Sequence, residues 1–403
     1  MNIIRSLAFG VRRKKRRKGV EVCAVLILYF IGVMSSSLPA YAAGVEVSAT
    51  SALVMDTVTG RVIYEKNGYQ KRSMASTTKI MTAILALEKG NPEDVVTTSR
   101  KAAHVEGSSM WLEEGEKQRL EDLLYGLMLT SGNDAAIAVA EHIGGSVEAF
   151  ADMMTQKARE IGAMNTSFKN PHGLDADGHY TTAYDLALIT RYALQNERFA
   201  GIVKTKKKKI PWPGHQWDRV FKNGNRLLEM YEGCDGVKTG YTKRTGRCLV
   251  SSATKNGWQA VAVTLTAPND WEDHKKMLDF AFGHYQVETI IEKGEFMKTL
   301  PVTEGKEERV HLVAASGLTI PMKKGDRDTM RIEYDVPYFT PAPVHYNQEL
   351  GNIRLYINDV ECGTVALVAN DFVERKDIKL AYERIIKNWL MIFRNRERGR
   401  GDS

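Results

Sequence analysis

The spacing of apolar residues changes twice along this chain, and those two changes limit the folds open to it. After Ser76 the apolar positions recur at helix spacing, as in Ile80, Met81, Ile84, Leu85 and Leu87, until Gly90-Asn91-Pro92 stops the run. Helices are likewise expected on both sides of Ser131-Gly132-Asn133 within 119–143, and at 146–161, 181–195 and 271–282. From about residue 234 the pattern becomes strand-like. One strand carries Val237, the next spans Cys248 to Ser252, and a third spans Gln259 to Thr266, with Asn256-Gly257 as a hairpin turn. Another hairpin is expected over 52–66, around the turn 56–60. A sheet flanked by helices, an α/β layout, satisfies both periods. The second change falls near 284. Residues 287–370 hold only short alternating segments, such as Arg309 to Val313, Met330 to Tyr334, Ile353 to Ile357 and Gly363 to Leu367, which predicts a small all-β domain. From 375 to 398 the chain reads as one more helix, followed by a charged tail.

The first 42 residues read as a leader rather than as fold. A basic run from Arg12 to Lys18 precedes an apolar stretch, Val22 to Met34, and then Pro39-Ala40-Tyr41-Ala42. That order fits a secretory signal cut after Ala42; an uncleaved anchor is the other reading, for which the apolar run is short. The leader holds eight of the 56 Lys and Arg and one of the 49 Asp and Glu, so the remainder carries 48 of each and no net formal charge. The basic pI is therefore a property of the leader, and no nucleic-acid motif accompanies it. The run Lys206 to Lys209, beside Pro211 and Pro213, reads as a solvated loop. Cys234, Cys248 and Cys362 remain, without a Cys-x-x-Cys pair, and the nine histidines show no His-Glu-x-x-His spacing, so no metal site is expected. Cys234 and Cys248 bracket one strand, and a disulfide between them stays open: export permits it, but a simple hairpin register does not set them opposite each other.

Three short motifs carry chemistry. They are Ser76-Thr77-Thr78-Lys79, Ser131-Gly132-Asn133 and Lys238-Thr239-Gly240. Serine is a weak nucleophile at neutral pH and needs a base beside it. Lysine serves if burial and a second cation lower its pKa, and Lys238 is the candidate second cation. Ser-x-x-Lys also occurs at Ser252 to Lys255. At a helix start, positions i and i+3 share a face, so Lys79 reaches Ser76; on a strand they point to opposite faces, which makes Ser252 a decoy. The helix start also offers free backbone N–H groups to an oxyanion. Gly240 leaves a strand edge open for a peptide to pair with. Alone, Ser131-Gly132-Asn133 reads as a capped helix junction and Lys238-Thr239-Gly240 as a strand ending in a turn; the ordered set of three is the signature of serine β-lactamases and penicillin-binding proteins.

The longer matches Met74 to Thr82, Met128 to Ala136, Asn170-Pro171-His172-Gly173-Leu174 and Asp235 to Thr242 sharpen this. The chain resembles the low-molecular-mass penicillin-binding proteins, the D-alanyl-D-alanine carboxypeptidases, strongly over about 50–284 and in layout beyond. The resemblance implies a β-lactamase/transpeptidase-like fold, with a signal peptide at 1–42, a catalytic domain at 43–284, a β-rich domain at 285–374 and an amphipathic membrane-anchor helix with its tail at 375–403. It implies removal of the terminal D-alanine from peptidoglycan stem peptides through an acyl-enzyme that penicillin also forms, and no cofactor. Ser76 would be acylated and Lys79 would be its base. Ser131 would relay a proton, Asn133 would hold the substrate amide, Lys238 would tune the field, and Thr239 would bind the terminal carboxylate. Backbone N–H groups of Ser76 and Tyr241 would form the oxyanion hole over Gly240. Some relatives place a carboxylate-reading arginine where this chain has Pro268-Asn269-Asp270-Trp271; whether Arg226 or Arg247 substitutes stays open. A β-lactamase is the competing enzyme, but no Glu-x-x-Leu-Asn segment is present. An endopeptidase of cross-linked wall, or a wall-binding protein without activity, are the others. At the C-terminus Ile378, Tyr382, Ile385, Ile386, Trp389, Ile392 and Phe393 fall on one helix face, opposite Arg384, Lys387 and Arg394. That pattern suits a helix lying on an anionic membrane surface.

Overall fold

The computed structural model describes residues 45–376, 382–383 and 385–391. The leader therefore lies outside the described residues, as do Ile378, Arg384, Ile392, Phe393 and Arg394 of the terminal helix.

A five-stranded antiparallel sheet forms the centre of the first domain. From edge to edge its strands are Val62–Lys66, Ser51–Asp56, Trp258–Leu265, Gly246–Lys255 and Cys234–Thr242. The hairpin expected over 52–66 and the three strands expected after 234 are its members. Trp258–Leu265 is buried on both faces, which is why its sequence reads almost uniformly apolar. Successive side chains alternate between those faces. Val261, Val263 and Leu265 join the core beneath the helices Lys79–Lys89, Leu120–Leu129, Asn133–Gly144, Val147–Ile161 and Ala183–Leu194. Thr264 points the other way, to His274 on the helix Asp270–His284. The Lys79–Lys89 helix buries eight of its eleven residues, so shortening Ile84 to Ala would cost roughly 2–5 kcal/mol. Helix ends follow local chemistry: Ser146 caps the Val147–Ile161 helix through Ala149 N–H, and Thr182 caps Ala183–Leu194 through Asp185 N–H.

The second domain is all-β. Its six-stranded sheet runs Met330–Asp335, Glu349–Ile357, Val360–Ala369, Arg309–Ala314, Phe296–Thr303 and Thr340–Pro341, beside a two-stranded pair, Gln286–Ile291 with Leu318–Met322. Alternate residues such as Val310, Leu312, Ile353, Leu355, Val365 and Leu367 fill its core. The two domains meet at Arg61, which donates to the Pro321 carbonyl at 2.7 Å and pairs with buried Asp326 at 2.7 Å.

Several local expectations are corrected. Ser76 sits in a 3-10 turn, Ala75–Thr78, and the α-helix begins at Lys79. Lys207–Ile210 is a strand paired with Arg219–Lys222 rather than a loop; its three lysines hid it, because only Ile210 turns fully inward. Cys234 and Cys248 are free thiols, as is Cys362. The hairpin pairs Cys248 with Gly240 and Cys234 with Ala253. The two cysteines are thus offset by five residues, about 17 Å at 3.4 Å per residue and far beyond disulfide reach. The last segment is not helical at 375; Arg375 bridges to Gly305, and residues 382–383 and 385–391 are helical.

Candidate active site

The nucleophile turn is held by its own side chains and by the loop that follows the Val147–Ile161 helix. Ala75 adopts a positive φ of 46°. Thr77 Oγ1 donates to Met74 O at 2.6 Å, and Thr78 Oγ1 donates to Ala75 O at 2.8 Å. Thr78 Oγ1 in turn meets His179 Nε2 at 2.8 Å. Lys169 N–H donates to His179 Nδ1, which leaves the proton of the neutral ring on Nε2. Burial pushes His179 down to about 4, so that neutral form prevails. From the same loop Asn170 Oδ1 accepts from Gly173 N–H at 2.7 Å, and Gly173, with φ of 90°, passes directly against the Ala75 carbonyl. No side chain fits at Gly173.

This frame sets Lys79. Its Nζ lies 3.1 Å from Ser76 Oγ, 2.7 Å from Asn133 Oδ1 and 2.6 Å from the His172 carbonyl. The side chain is 0% exposed. Burial lowers its pKa well below the ordinary lysine value; the Lys238 charge adds to the fall, and Asp134 opposes it. Lys238, 2% exposed on the sheet's edge strand, is pushed down to about 7 by burial. Two lysines buried together cannot both keep their protons at little cost, so Lys79 is poised as a base beside a hydroxyl.

Asn133 opens the helix that follows Ser131-Gly132. Its Nδ2 donates to Glu106 O at 2.7 Å, and its backbone N–H donates to Ser108 O. Asp134, next along, accepts from the N–H groups of Met110 and Leu112 and from Ser109 Oγ, which fixes the loop 107–112 against the site. Ser131 caps nothing. It adopts φ of 64°, and its Oγ is buried without a hydrogen-bond partner. A buried hydroxyl without a partner is uncommon, and Ser131 shares that state with Ser252.

The edge strand closes the cleft. A Cβ on Gly240 would lie 3.0 Å from Ser76 N and 3.2 Å from Met74 O, so the strand runs immediately over the nucleophile turn. Thr239 is half-buried, with Gly224 close to its hydroxyl, and Tyr241 is 65% exposed. A bulge at 234–236 and positive φ at Gly236 and Val237 precede Lys238. The structure thus brings Ser76, Lys79, Asn133, Lys238 and Gly240 together, with Ser131 two residues before Asn133 and with Thr239 and Tyr241 on the strand of Lys238. Ser252 lies within its strand, and its buried Oγ has no hydrogen-bond partner. Arg226 precedes the short helix Leu227–Met230; Arg247 faces Tyr241 across the hairpin, 3.8 Å from Asp270. Among the described residues no group of three or more His, Cys, Asp or Glu is placed to hold a metal. Asp134 and the His172 carbonyl were not assigned from sequence. Both fall in quoted segments, but a backbone acceptor leaves no trace in residue type.

The family model described as D-alanyl-D-alanine carboxypeptidase matches residues 36–269, and that of the penicillin-binding protein 5 C-terminal domain matches 285–375. The chain is 36% identical over 352 residues to the D-alanyl-D-alanine carboxypeptidase DacF of Bacillus subtilis, covering 85% of this chain and 90% of that protein. It is 32% identical to DacC of Escherichia coli, covering 81% and 85%. Penicillin binding protein 5 of Haemophilus influenzae superposes with a TM-score of 0.70 at 27% identity, over 82% of this chain and 99% of that one. A peptidoglycan synthesis regulatory factor of Streptococcus pneumoniae, PBP3, gives 0.72 at 25% identity, over 82% and 100%.

Proposed function

Since the chain belongs to the D-alanyl-D-alanine carboxypeptidase family and is a serine-type member of it, we propose that Ser76 is the residue acylated by peptidoglycan stem peptides ending in D-alanyl-D-alanine. The observation that carries this is the 3.1 Å approach of a fully buried lysine, Lys79, to Ser76 Oγ. Lys79, neutral at the outset, accepts the hydroxyl proton as Ser76 Oγ bonds to the carbonyl carbon of the penultimate D-alanine. The oxyanion is held by the backbone N–H groups of Ser76 and Tyr241. As the C–N bond breaks, Ser131 passes a proton to the leaving amine, which departs as free D-alanine. Asn133 holds the substrate amide, and Thr239, with Lys238 behind it, holds the terminal carboxylate. Water then cleaves the ester and restores the serine. The peptide adds to the open edge of the Cys234–Thr242 strand. The purified chain is expected to release one D-alanine per pentapeptide and to turn penicillin over slowly. Rapid penicillin hydrolysis without D-alanine release would instead identify a β-lactamase.

The domain limits 43–284 and 285–374, with a surface-lying anchor at 375–403, form the second part of the proposal. Its support is the exposed apolar set Tyr382, Ile385, Ile386, Trp389, Leu390 and Met391 on the described helix. No helix among the described residues is long and apolar enough to cross a membrane. Truncation after Glu374 is expected to leave activity intact and abolish binding to anionic vesicles; unfolding of the truncated chain would refute the anchor.

A further inference from the structure

A chain of three hydrogen bonds reaches the nucleophile turn from a ring that the proposed reaction leaves unused. Lys169 N–H donates to His179 Nδ1 at 3.0 Å, His179 Nε2–H donates to Thr78 Oγ1 at 2.8 Å, and Thr78 O–H donates to the Ala75 carbonyl at 2.8 Å. The first link sets the direction of the others. A neutral imidazole whose Nδ1 accepts carries its proton on Nε2, and a hydroxyl that accepts this proton passes its own onward. The far end of the chain is held firmly. His179 is 5% exposed, with the Phe168 ring edge-on at 5.8 Å. The adjoining residues Ser167 and Tyr180 exchange both backbone hydrogen bonds, at 2.9 and 3.0 Å.

The near end needs holding. Thr78 is fully buried and stands between Ser76 and Lys79 in the sequence. Ala75 has a φ of 46°, a conformation that a residue with a Cβ keeps only where its surroundings impose it. Thr78 O–H fixes the Ala75 carbonyl, and Gly173 passes close against it. Without a donor at Thr78 Oγ1, the hydroxyl is a rotor free to turn from that carbonyl. Ser76 can then shift relative to a lysine that is pinned separately, by Asn133 Oδ1 and the His172 carbonyl. We propose that His179 is a positioning residue for acylation: its Nε2–H, acting through Thr78, holds the turn in the form that sets Ser76 Oγ 3.1 Å from Lys79 Nζ. It acts at one remove from the reacting atoms. The inference rests on the assignment of Ser76 made above.

Two amide variants separate positioning from packing. In His179→Gln the amide nitrogen stands where Nε2 stood and still donates to Thr78. In His179→Asn the amide oxygen stands where Nδ1 stood and keeps the Lys169 contact, but Thr78 loses its donor. Each variant gives up one buried hydrogen bond, so both should melt lower by a similar amount. The readout is saturation kinetics of labelled-penicillin acylation, which separates the saturating rate from the dissociation constant of the complex that precedes the ester. His179→Asn is expected to lower the saturating rate about tenfold or more and leave the dissociation constant within about twofold, while His179→Gln stays within about threefold of the wild-type rate. Thr78→Val breaks the chain from its other end. It should slow the saturating rate likewise, and adding His179→Asn to it should cost nothing further. Equal rate losses in the Gln and Asn variants, a loss confined to the dissociation constant, or additive losses in the double variant would overturn the proposal. Should His179→Asn not fold, Thr78→Val decides alone, and a wild-type rate there overturns it too. Failure of the underlying assignment looks different: the wild-type chain itself would carry no ester on Ser76.

Discussion

Replacing Gly173 with Ala changes no functional group, yet it should disable the site. A Cβ built at Gly173 falls 1.9 Å from the Ala75 carbonyl oxygen, 2.4 Å from its carbon and 2.9 Å from Thr78 Oγ1. Ordinary contact begins near 3.4 Å, so the loop and the nucleophile turn must part by about 1.5 Å. That movement acts on Ser76 and withdraws the His172 carbonyl from Lys79, one residue away along the loop. A displacement of about 1 Å at a reacting group costs roughly a hundredfold in rate. Overpacking adds about 1–3 kcal/mol of destabilisation, and the left-handed backbone about 1–2 kcal/mol more. Gly162→Ala is the control. It shares the positive φ, at 94°, with nothing within 4 Å of its Cβ, so it bears only the backbone cost. The assay is the second-order rate of labelled-penicillin acylation, read beside the melting temperature. Gly173→Ala should acylate about a hundredfold more slowly than Gly162→Ala and melt lower. If both acylate at the same rate while folded, the loop does not position the nucleophile and the reasoning fails.

Burial lowers His172 and His274 to about 3 and His179 to about 4. Folded pKa values below the unfolded 6.5 mean that the native state resists protonation, so stability is full above pH 6.5 and falls as pH drops, toward 4 for His179 and toward 3 for His172 and His274. Each histidine contributes at most about 1.4 kcal/mol per pH unit in that window; His274→Gln should give a shallower slope of denaturant midpoint with pH, and an unchanged slope would exclude His274. Lys238→Gln removes a cation that lowers Lys79. The rising limb of the acylation pH profile should therefore move to higher pH, and a limb that stays in place would show that Lys238 does not tune the base.

Much of the site was readable because its chemistry lies in side chains at fixed spacing. Ser76 and Lys79 meet as i and i+3 whether the turn is 3-10 or α, so the error about the helix start did no harm. Ser252 does lie on a strand, as the alternation argument against it requires, and that strand runs on to Lys255. What escaped the sequence was backbone and context. The His172 carbonyl, the fit of Gly173 under Ala75 and the orphaned Ser131 hydroxyl depend on segments about a hundred residues apart, or on a φ value. The Lys207–Ile210 strand escaped for another reason: it is a surface hairpin with little apolar alternation, supported by Lys208 over the Tyr125 ring and Lys209 with Asp218. In the β domain the alternation was strong, and the segments from Arg309, Met330, Ile353 and Gly363 all fell on observed strands.

The central claim is that one serine, Ser76, beside a buried lysine, forms the acyl-enzyme. Peptide mapping after incubation with labelled penicillin tests it most directly. The label is expected as an ester on the peptide carrying Ser76, absent in Ser76→Ala and intact in Ser252→Ala. Label that survives Ser76→Ala, or that maps to Ser131 or Ser252 in the wild-type chain, would contradict the account.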